Sequence, residues 1–517
     1  MKLRYILPAL LLALSLPALA DDDAPAKDAA PKPSIDYTKP ALSTTSGSVS
    51  IGGEKISYKA NTGTLVLKDD KDQPAVSMFY VYYAKDGAPS NRPVTFFFNG
   101  GPGSATVWLH MGAFGPQRVR TADDTHTPGA PYVLVNNEDS LLDVTDEVFI
   151  DAPGTGFSRV IDKDLGGKAD PKDYYGVDQD GKAFTQFIQQ FLSKYNRWNS
   201  PKYVFGESYG TIRGPVLAED LQNAAIDING LILLSAIPNT DISADGDSLN
   251  PGIDIPFALV LPTQAAVAWY HNKVPNKPAK LEDFLAQVEK FAMGDYLTAL
   301  NAGSTLDAAT KQKIAQQLSA YTGLSADYWM KANLRVNGGQ FEHELFRDSD
   351  QLAGRLDGRF SSYALDPLGE QAEYDPQSSS ISSAYVSLFN EYVRKTLNYG
   401  GDQIYIPLSG PVNQAWDFKH ANPFGQAFPG ATNVLPDLAV TMGQNPTMKV
   451  MLNGGYYDLA TAFYAAQFEF QHLPMDDKLQ SNITYAWYPS GHMVYANEAS
   501  AKALHDNVAK FIESSHK

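Results

Sequence analysis

Short, nearly continuous runs of apolar residues recur along the chain, and each ends in Gly, Pro, Asn or Asp. Strand-length runs of this kind are typical of strands buried on both faces of a parallel sheet. Helical patterns lie between some of these runs, as at 181–198 and 211–224. This alternation predicts an α/β fold, with a mostly parallel central sheet flanked by crossover helices. The runs that predict parallel strands are 94–101, 146–154, 202–208, 231–239 and 448–458.

A change of pattern divides the predicted domain into two parts. From Gly47 onward, alternating residues and turn dipeptides predict antiparallel strands that open the sheet. The strand–helix alternation stops near Asn239 and resumes near Lys449. The stretch between them carries helical patterns and polar loops. We therefore expect an α/β domain formed by 44–239 and 441–517, with a largely helical cap insertion at 240–440.

The first residues are expected to lie outside this fold. A basic start, an apolar run and the small residues of Ala18-Leu19-Ala20 predict a secretory signal peptide, 1–20, that is cleaved after Ala20. The apolar run is shorter than the ~20 residues of a spanning helix, so no membrane anchor is expected. The Asp-, Pro-, Lys- and Ala-rich segment 21–43 is expected to be a flexible leader.

Composition and charge bear on the cellular compartment and on the classes of binding partner. The chain contains no cysteine, and export without disulfides indicates a bacterial periplasm or exterior. The formal net charge is −17, which disfavours binding to nucleic acid or to an anionic membrane surface. No sequence pattern indicates a metal or an organic cofactor.

One pentapeptide carries a nucleophile pattern. Gly206-Glu207-Ser208-Tyr209-Gly210 matches G-x-S-x-G, with a strand pattern before it and a helical pattern after it. A sharp strand-to-helix turn needs small residues on both sides of the serine, and it exposes the hydroxyl at the end of the sheet. Negative charge that develops there is stabilised by the helix N-terminus. An ordinary turn with a buried serine is the alternative, and the context favours Ser208 as a nucleophile.

A nucleophilic serine needs a base, which in this fold follows the acid in chain order. Three histidines lie beyond the predicted cap. His516 is next to the last residue, and His505 lies in an amphipathic helical pattern, where we expect a surface position. His492 lies in a loop after the strand pattern ITYAWY, so we expect it to be the base.

The acid should lie at a strand end before that histidine. Asp458 ends the run 448–458, and its expected role is to fix the imidazole tautomer and stabilise the imidazolium. Asp437 and Asp417 are alternatives, although neither follows a convincing buried strand.

Acyl transfer also requires donors for an oxyanion. The backbone N–H after the nucleophile, that of Tyr209, is one expected donor. The loop Asn99-Gly100-Gly101-Pro102-Gly103 follows the strand pattern at 94–98 and is the expected source of the other. Without side chains, Gly100 and Gly101 allow the backbone to approach a substrate closely.

Five motifs together resemble the serine carboxypeptidase family, peptidase family S10, in their order and spacing over almost the whole mature chain. They are NGGPGS (99–104), DAPGTGFS (151–158), GESYGT (206–211), NGGYYD (453–458) and SGHM (490–493). The resemblance implies an α/β-hydrolase fold, a triad of Ser208, Asp458 and His492, and an oxyanion hole formed by the amides of Gly101 and Tyr209. It implies hydrolysis of C-terminal peptide bonds in peptide substrates through an acyl-enzyme.

The chain departs from this family where the family binds the substrate's carboxylate. Asn99 and Glu207 match family residues of that network, whereas Phe97 stands in place of a Trp and Ala113 in place of a second Glu. A hydrogen bond to a charged group contributes about 1.5–3 kcal/mol, and alanine cannot make it. An exported esterase, amidase or acyltransferase with the same triad is therefore an alternative. A complete triad argues against a binding protein without catalysis.

The resemblance also implies a preference for acidic pH. Glu207 should recognise a carboxylate best when it is protonated, because two like charges repel.

Overall fold

A ten-stranded sheet forms the centre of the fold. The computed structural model describes residues 35–243, 251–425 and 432–516, and Tyr37–Lys517 form one unit. The predicted signal peptide 1–20 lies outside the described residues, as does most of the predicted leader.

The sheet strands are β1 (Leu42–Ile51), β2 (Glu54–Lys68), β3 (Pro74–Lys85), β4 (Val94–Phe98), β7 (Asp146–Ile150), β8 (Arg159–Val160), β9 (Lys202–Glu207), β10 (Gly230–Leu234), β13 (Lys449–Gly455) and β14 (Ile483–Tyr488). Their order is β1-β2-β3-β7-β4-β9-β10-β13-β14, with β8 paired to β3. In this order, each pair of neighbours from β7-β4 through β13-β14 is parallel. The pairs β1-β2, β2-β3 and β3-β7 are antiparallel. Two small antiparallel sheets stand apart from it: β5 (Gln117–Arg120) with β6 (Val133–Asn136), and β11 (Gln351–Ala353) with β12 (Ser361–Tyr363).

The five predicted parallel strands are confirmed as β4, β7, β9, β10 and β13. All residues of β4 are buried, because successive side chains enter the cores on opposite faces of the sheet. Phe97 lies in one core, while Phe96 and Phe98 lie in the other. The mostly parallel sheet with flanking helices confirms the predicted α/β-hydrolase fold class.

Helices cover both faces of the sheet. The helices are α1 (Val177–Lys194), α2 (Gly210–Asn223), α3 (Ile255–Tyr270), α4 (Leu281–Phe291), α5 (Leu297–Ala302), α6 (Ala308–Thr322), α7 (Ala326–Lys331), α8 (Gly338–Glu344), α9 (Pro376–Lys395), α10 (Gly410–Ala415), α11 (Leu435–Gln444), α12 (Phe463–Gln471) and α13 (Glu498–Ser514). Apolar residues of α1, α2 and α11 enter the core on one face, and those of α9 and α13 enter the core on the other. None of the helices in the described ranges has the length and hydrophobicity to cross a membrane.

The predicted cap, 240–440, is mostly helical and carries a core of its own, formed largely by α3 to α8. Its expected end at residue 440 falls inside α11, which packs against α2 beside the sheet. At the other end of the chain, β1 begins at Leu42, inside the predicted leader 21–43. Both boundaries differ from expectation because partners distant in sequence, α2 and β2, hold these residues.

Candidate active site

Ser208 lies in a sharp turn between β9 and α2, as the G-x-S-x-G pattern predicts. Its φ is +60°, a left-handed conformation that non-glycine residues adopt uncommonly. Its backbone N–H donates to the carbonyl of Leu234 at 3.0 Å, and its carbonyl accepts from the amide of Thr211 at 2.7 Å. A Cβ atom on Gly206 would lie 2.2 Å from the carbonyl oxygen of Gly210. The turn therefore requires glycine at position 206, and a Cβ atom on Gly210 would lie 3.1 Å from the carbonyl oxygen of Phe98.

His492 and Asp458 meet at the ends of neighbouring strands. The Nδ1 atom of His492 lies 2.8 Å from Oδ2 of Asp458, and both residues are buried. Oδ1 of Asp458 accepts from the amides of Ala460 and Thr461 at 3.0 Å each, and Oδ2 accepts from the Thr461 hydroxyl at 2.6 Å. These bonds fix the carboxylate and aim one oxygen at the imidazole.

The other acids and histidines considered from sequence have different partners. Asp437 lies 3.0 Å from Nε2 of His420, and the backbone of Asp417 bonds to that of Tyr175. His505 is buried against Asp143 rather than at the surface, which corrects the expectation for that residue.

The charges near His492 set its basicity. Burial lowers the pKa of this imidazole, but the carboxylates of Asp458 and Glu207 outweigh burial and hold the pKa above its usual value. A histidine with a raised pKa accepts a proton readily, as a general base must.

The glycine loop after β4 lies directly against the turn that holds Ser208. Gly101 has a φ of +106°, and a Cβ atom on Gly100 would lie 2.3 Å from the backbone nitrogen of Tyr209. Arg213 of α2 ties the two segments together, since its guanidinium donates to the carbonyl of Asn99 at 2.8 Å. The structure thus brings together the loop of Gly101 and the amide of Tyr209, the two predicted oxyanion donors.

Asn99 begins this loop, and Glu207 immediately precedes Ser208 in this turn. Each is 3% exposed. Burial raises the pKa of Glu207 to about 7, although the charge of His492 and hydrogen bonds from Tyr495 and Asn99 oppose that rise. The Tyr495 hydroxyl donates to Oε2 of Glu207 at 2.9 Å. Sequence reasoning missed Tyr495, because a lone tyrosine three residues after a histidine follows no recognisable pattern.

The two positions that depart from the family are occupied by tight apolar packing. Phe97 is fully buried and stacks on Phe149, with ring centroids 4.9 Å apart. Ala113 is 2% exposed, and its carbonyl accepts from the side chain of Asn137 at 2.8 Å. Neither residue offers a polar side-chain atom to the site.

A cleft of about 170 Å³ opens above Ser208. Gly101, Ser208, Tyr209 and His492 all line it, so the predicted nucleophile, base and oxyanion donors share one surface. The predicted cap contributes four more lining residues, Thr240, Arg355, Leu356 and Phe418. No sequence pattern indicated these four, because the cap has no recognisable motif.

The motif DAPGTGFS (151–158) is hydrogen-bonded to the segment that follows the glycine loop. Oδ1 of Asp151 accepts from the amide of Thr106 at 2.8 Å, and Oδ2 accepts from the amide of Phe157. The Tyr405 hydroxyl also donates to Asp151. The motif therefore supports the site from outside the cleft.

Part of the chain is similar in sequence to known serine carboxypeptidases. A family model described as serine carboxypeptidase matches residues 53–250. "Serine carboxypeptidase S10 family member 1" of Dictyostelium discoideum is 30% identical over 165 residues, which is 30% of this chain and 36% of that protein. "Serine carboxypeptidase-like 2" of Arabidopsis thaliana is 25% identical over 210 residues, 39% of this chain and 43% of that protein. The aligned regions thus span less than half of these curated relatives.

A solved structure extends the likeness in fold to most of the chain. The structure of a prohormone-processing carboxypeptidase from Saccharomyces cerevisiae matches with a TM-score of 0.53 at 17% identity, covering 88% of this chain and 91% of that one. Residues 53–250 are thus similar in sequence to serine carboxypeptidases, and the α/β-hydrolase fold extends over most of the chain.

Proposed function

We propose that the protein is a serine carboxypeptidase that hydrolyses C-terminal peptide bonds through an acyl-enzyme on Ser208. The observation that carries this proposal is the joint placement of Ser208 and His492 on one cleft, with Asp458 bonded to the far side of the imidazole.

The chemistry follows from that arrangement. Asp458 accepts the Nδ1 proton of His492, which leaves Nε2 free to take the proton of the Ser208 hydroxyl. The serine oxygen attacks the scissile carbonyl, and the oxyanion is stabilised by the amides of Gly101 and Tyr209. The C–N bond then breaks as the imidazolium gives its proton to the departing amine. Water, deprotonated by His492, attacks the ester and releases the shortened peptide.

Recognition of the substrate's carboxylate by Asn99 and Glu207 is part of the proposal. Two observations support it: both residues are buried, Asn99 within the glycine loop and Glu207 next to Ser208, and the pKa of Glu207 is raised to about 7 by burial. Below that pH the carboxyl group is protonated and donates a hydrogen bond to a carboxylate. Above it, the ionised group repels one.

The test compares three substrates with the same acyl residue: a blocked dipeptide acid, its C-terminal amide and a simple ester. We expect the highest kcat/KM for the acid, and loss of all three activities in Ser208→Ala. Ser481→Ala changes an exposed serine and serves as the matched control. Activity that survives in Ser208→Ala would overturn the mechanism.

A second candidate is an esterase, amidase or acyltransferase that uses the same triad. It is favoured by the absence of a polar side chain at Ala113 and Phe97. Turnover of the ester without cleavage of either peptide would support this candidate and exclude the carboxypeptidase.

We also propose export to a bacterial periplasm or exterior. The signal-peptide pattern of 1–20 and the absence of cysteine support it. An intact-mass measurement on protein from the native host should give a chain that begins at Asp21. A chain that retains 1–20 would contradict the proposal.

A further inference from the structure

The cleft above Ser208 is almost free of charge. Among its lining residues in the described ranges, Arg355 carries the one permanently ionised side chain, and the other titratable side chains are those of His492 and Tyr209. The whole chain has a formal net charge of −17, so a cation at this place runs against the general charge of the protein. A charged group at the reacting surface bears on which substrates bind there.

The backbone around Arg355 is hydrogen-bonded to the loops that carry Asp458 and His492. The amide of Leu459, which follows Asp458, donates to the carbonyl of Arg355 at 3.0 Å. The amide of His492 donates to the carbonyl of Leu356 at 2.6 Å. Arg355 therefore sits on the His492 side of the cleft, and its half-buried side chain starts from a rigid base.

This side of the cleft is where the leaving group departs. His492 must hand its proton to the departing amine, so the leaving residue has to pass next to the imidazole. When a C-terminal bond is cleaved, the leaving residue carries a free carboxylate. A guanidinium group pairs with a carboxylate through two parallel hydrogen bonds, which makes arginine well suited to this recognition.

The other groups available for that carboxylate are set back from the surface. Asn99 and Glu207 are each 3% exposed and lie outside the lining of the cleft, and the side chain at Ala113 has no polar atom. Arg355 is the lining residue whose chemistry matches an anion.

We propose that Arg355 is a specificity-determining residue that binds the carboxylate of the leaving amino acid. This inference rests on the proposed carboxypeptidase function and names a further contact for its substrate. Arg355 already has an interaction partner within the protein, so the substrate's carboxylate joins or displaces that partner. The charge of Arg355 also acts on His492, whose pKa it lowers in part.

The experiment measures the ratio of kcat/KM for a blocked dipeptide acid to that for its amide. In Arg355→Gln we expect this ratio to fall about 10- to 150-fold, as for loss of a hydrogen bond to a charged group. The loss should appear mainly in KM for the acid. Arg355→Lys should retain part of the preference, because a lysine keeps the charge but loses the paired geometry. Arg120→Gln removes the same charge from an exposed strand residue and should leave the ratio unchanged.

The ratio isolates recognition from the other effects of the substitution. Both substrates use the same His492, so a change in its pKa cancels, and retained ester turnover reports that the variant is folded. A wild-type preference for the acid that persists in Arg355→Gln overturns the inference and leaves the proposed function intact. A wild type without any preference overturns the proposed function itself.

A further substrate separates the two carboxylates that could bind here. It is a blocked dipeptide amide whose leaving residue is aspartate. If Arg355→Gln slows cleavage of this substrate as much as cleavage of the acid, Arg355 binds the carboxylate of the aspartate side chain. The assignment to the terminal carboxylate is then wrong.

Discussion

Gly100→Ala tests whether the glycine loop and the turn of Ser208 form one oxyanion site. The added Cβ atom would lie 2.3 Å from the backbone nitrogen of Tyr209 and 2.8 Å from the carbonyl oxygen of Glu207. The atoms it meets are backbone, so no flexible side chain can give way. The loop or the turn must therefore move.

The size of the effect follows from that distance. Contacts of real Cβ atoms essentially never fall under 3.0 Å, so the two segments must separate by roughly 0.7 Å or more. A misplacement near 1 Å costs on the order of 10²-fold in rate, and loss of one oxyanion donor costs ~10²–10³-fold. We expect kcat to fall about 10²-fold with little change in KM, because the donors act mainly on the transition state.

The assay is steady-state hydrolysis of the ester and of the dipeptide acid, normalised to the folded fraction from thermal unfolding. Gly129→Ala is the matched control, since a Cβ atom there has no atom within 4 Å and the backbone needs no positive φ. A kcat for Gly100→Ala within threefold of the wild type would refute this account of the oxyanion site.

Two further predictions concern buried charge. The glutamine of Glu207→Gln cannot ionise, so the fall of kcat/KM for the acid substrate above pH 7 should disappear. Loss of the anion beside His492 should also lower the pKa of the imidazole and move the acidic limb of the pH profile to lower pH. An unchanged pH profile would show that Glu207 does not act on catalysis. Asp180 accepts from Arg213 at 2.6 Å in a pair with no exposed side-chain surface, so Asp180→Ala should reduce the free energy of unfolding by about 3–5 kcal/mol in urea denaturation. The exposed pair of Lys502 and Asp506 is the control, and Asp506→Ala should reduce the free energy of unfolding by about 1 kcal/mol or less. Equal losses of unfolding free energy in the two variants would contradict this reasoning.

Local chemistry explains why much of the site could be predicted. The turn of Ser208 needs small residues on both sides, and this requirement is visible within five consecutive residues. The buried strands are also local signals, because apolar runs of strand length and their bounding residues are contiguous. Asp458 and His492 could be chosen because each follows such a strand pattern, and parallel strands bring their carboxyl ends to one edge of the sheet.

Contacts between distant segments could not be predicted in this way. The Tyr495 hydroxyl reaches Glu207 across 288 positions, and Arg213 reaches the carbonyl of Asn99 across 114. His505 was expected at the surface from its amphipathic pattern, yet it packs against Asp143, 362 positions away. Periodicity records which face of an element is apolar, but not which element will cover that face.

The sequence by itself determined the α/β class and the parallel strands, and it predicted a triad of Ser208, Asp458 and His492, because turn chemistry and strand burial depend on neighbouring residues. Only the tertiary structure decided the surroundings of these groups. It brought Arg355 of the predicted cap to the His492 side of the cleft, and it enclosed Glu207 so that its pKa rises to about 7. Burial and electrostatic coupling depend on which residues meet in space, and chain order does not contain that information.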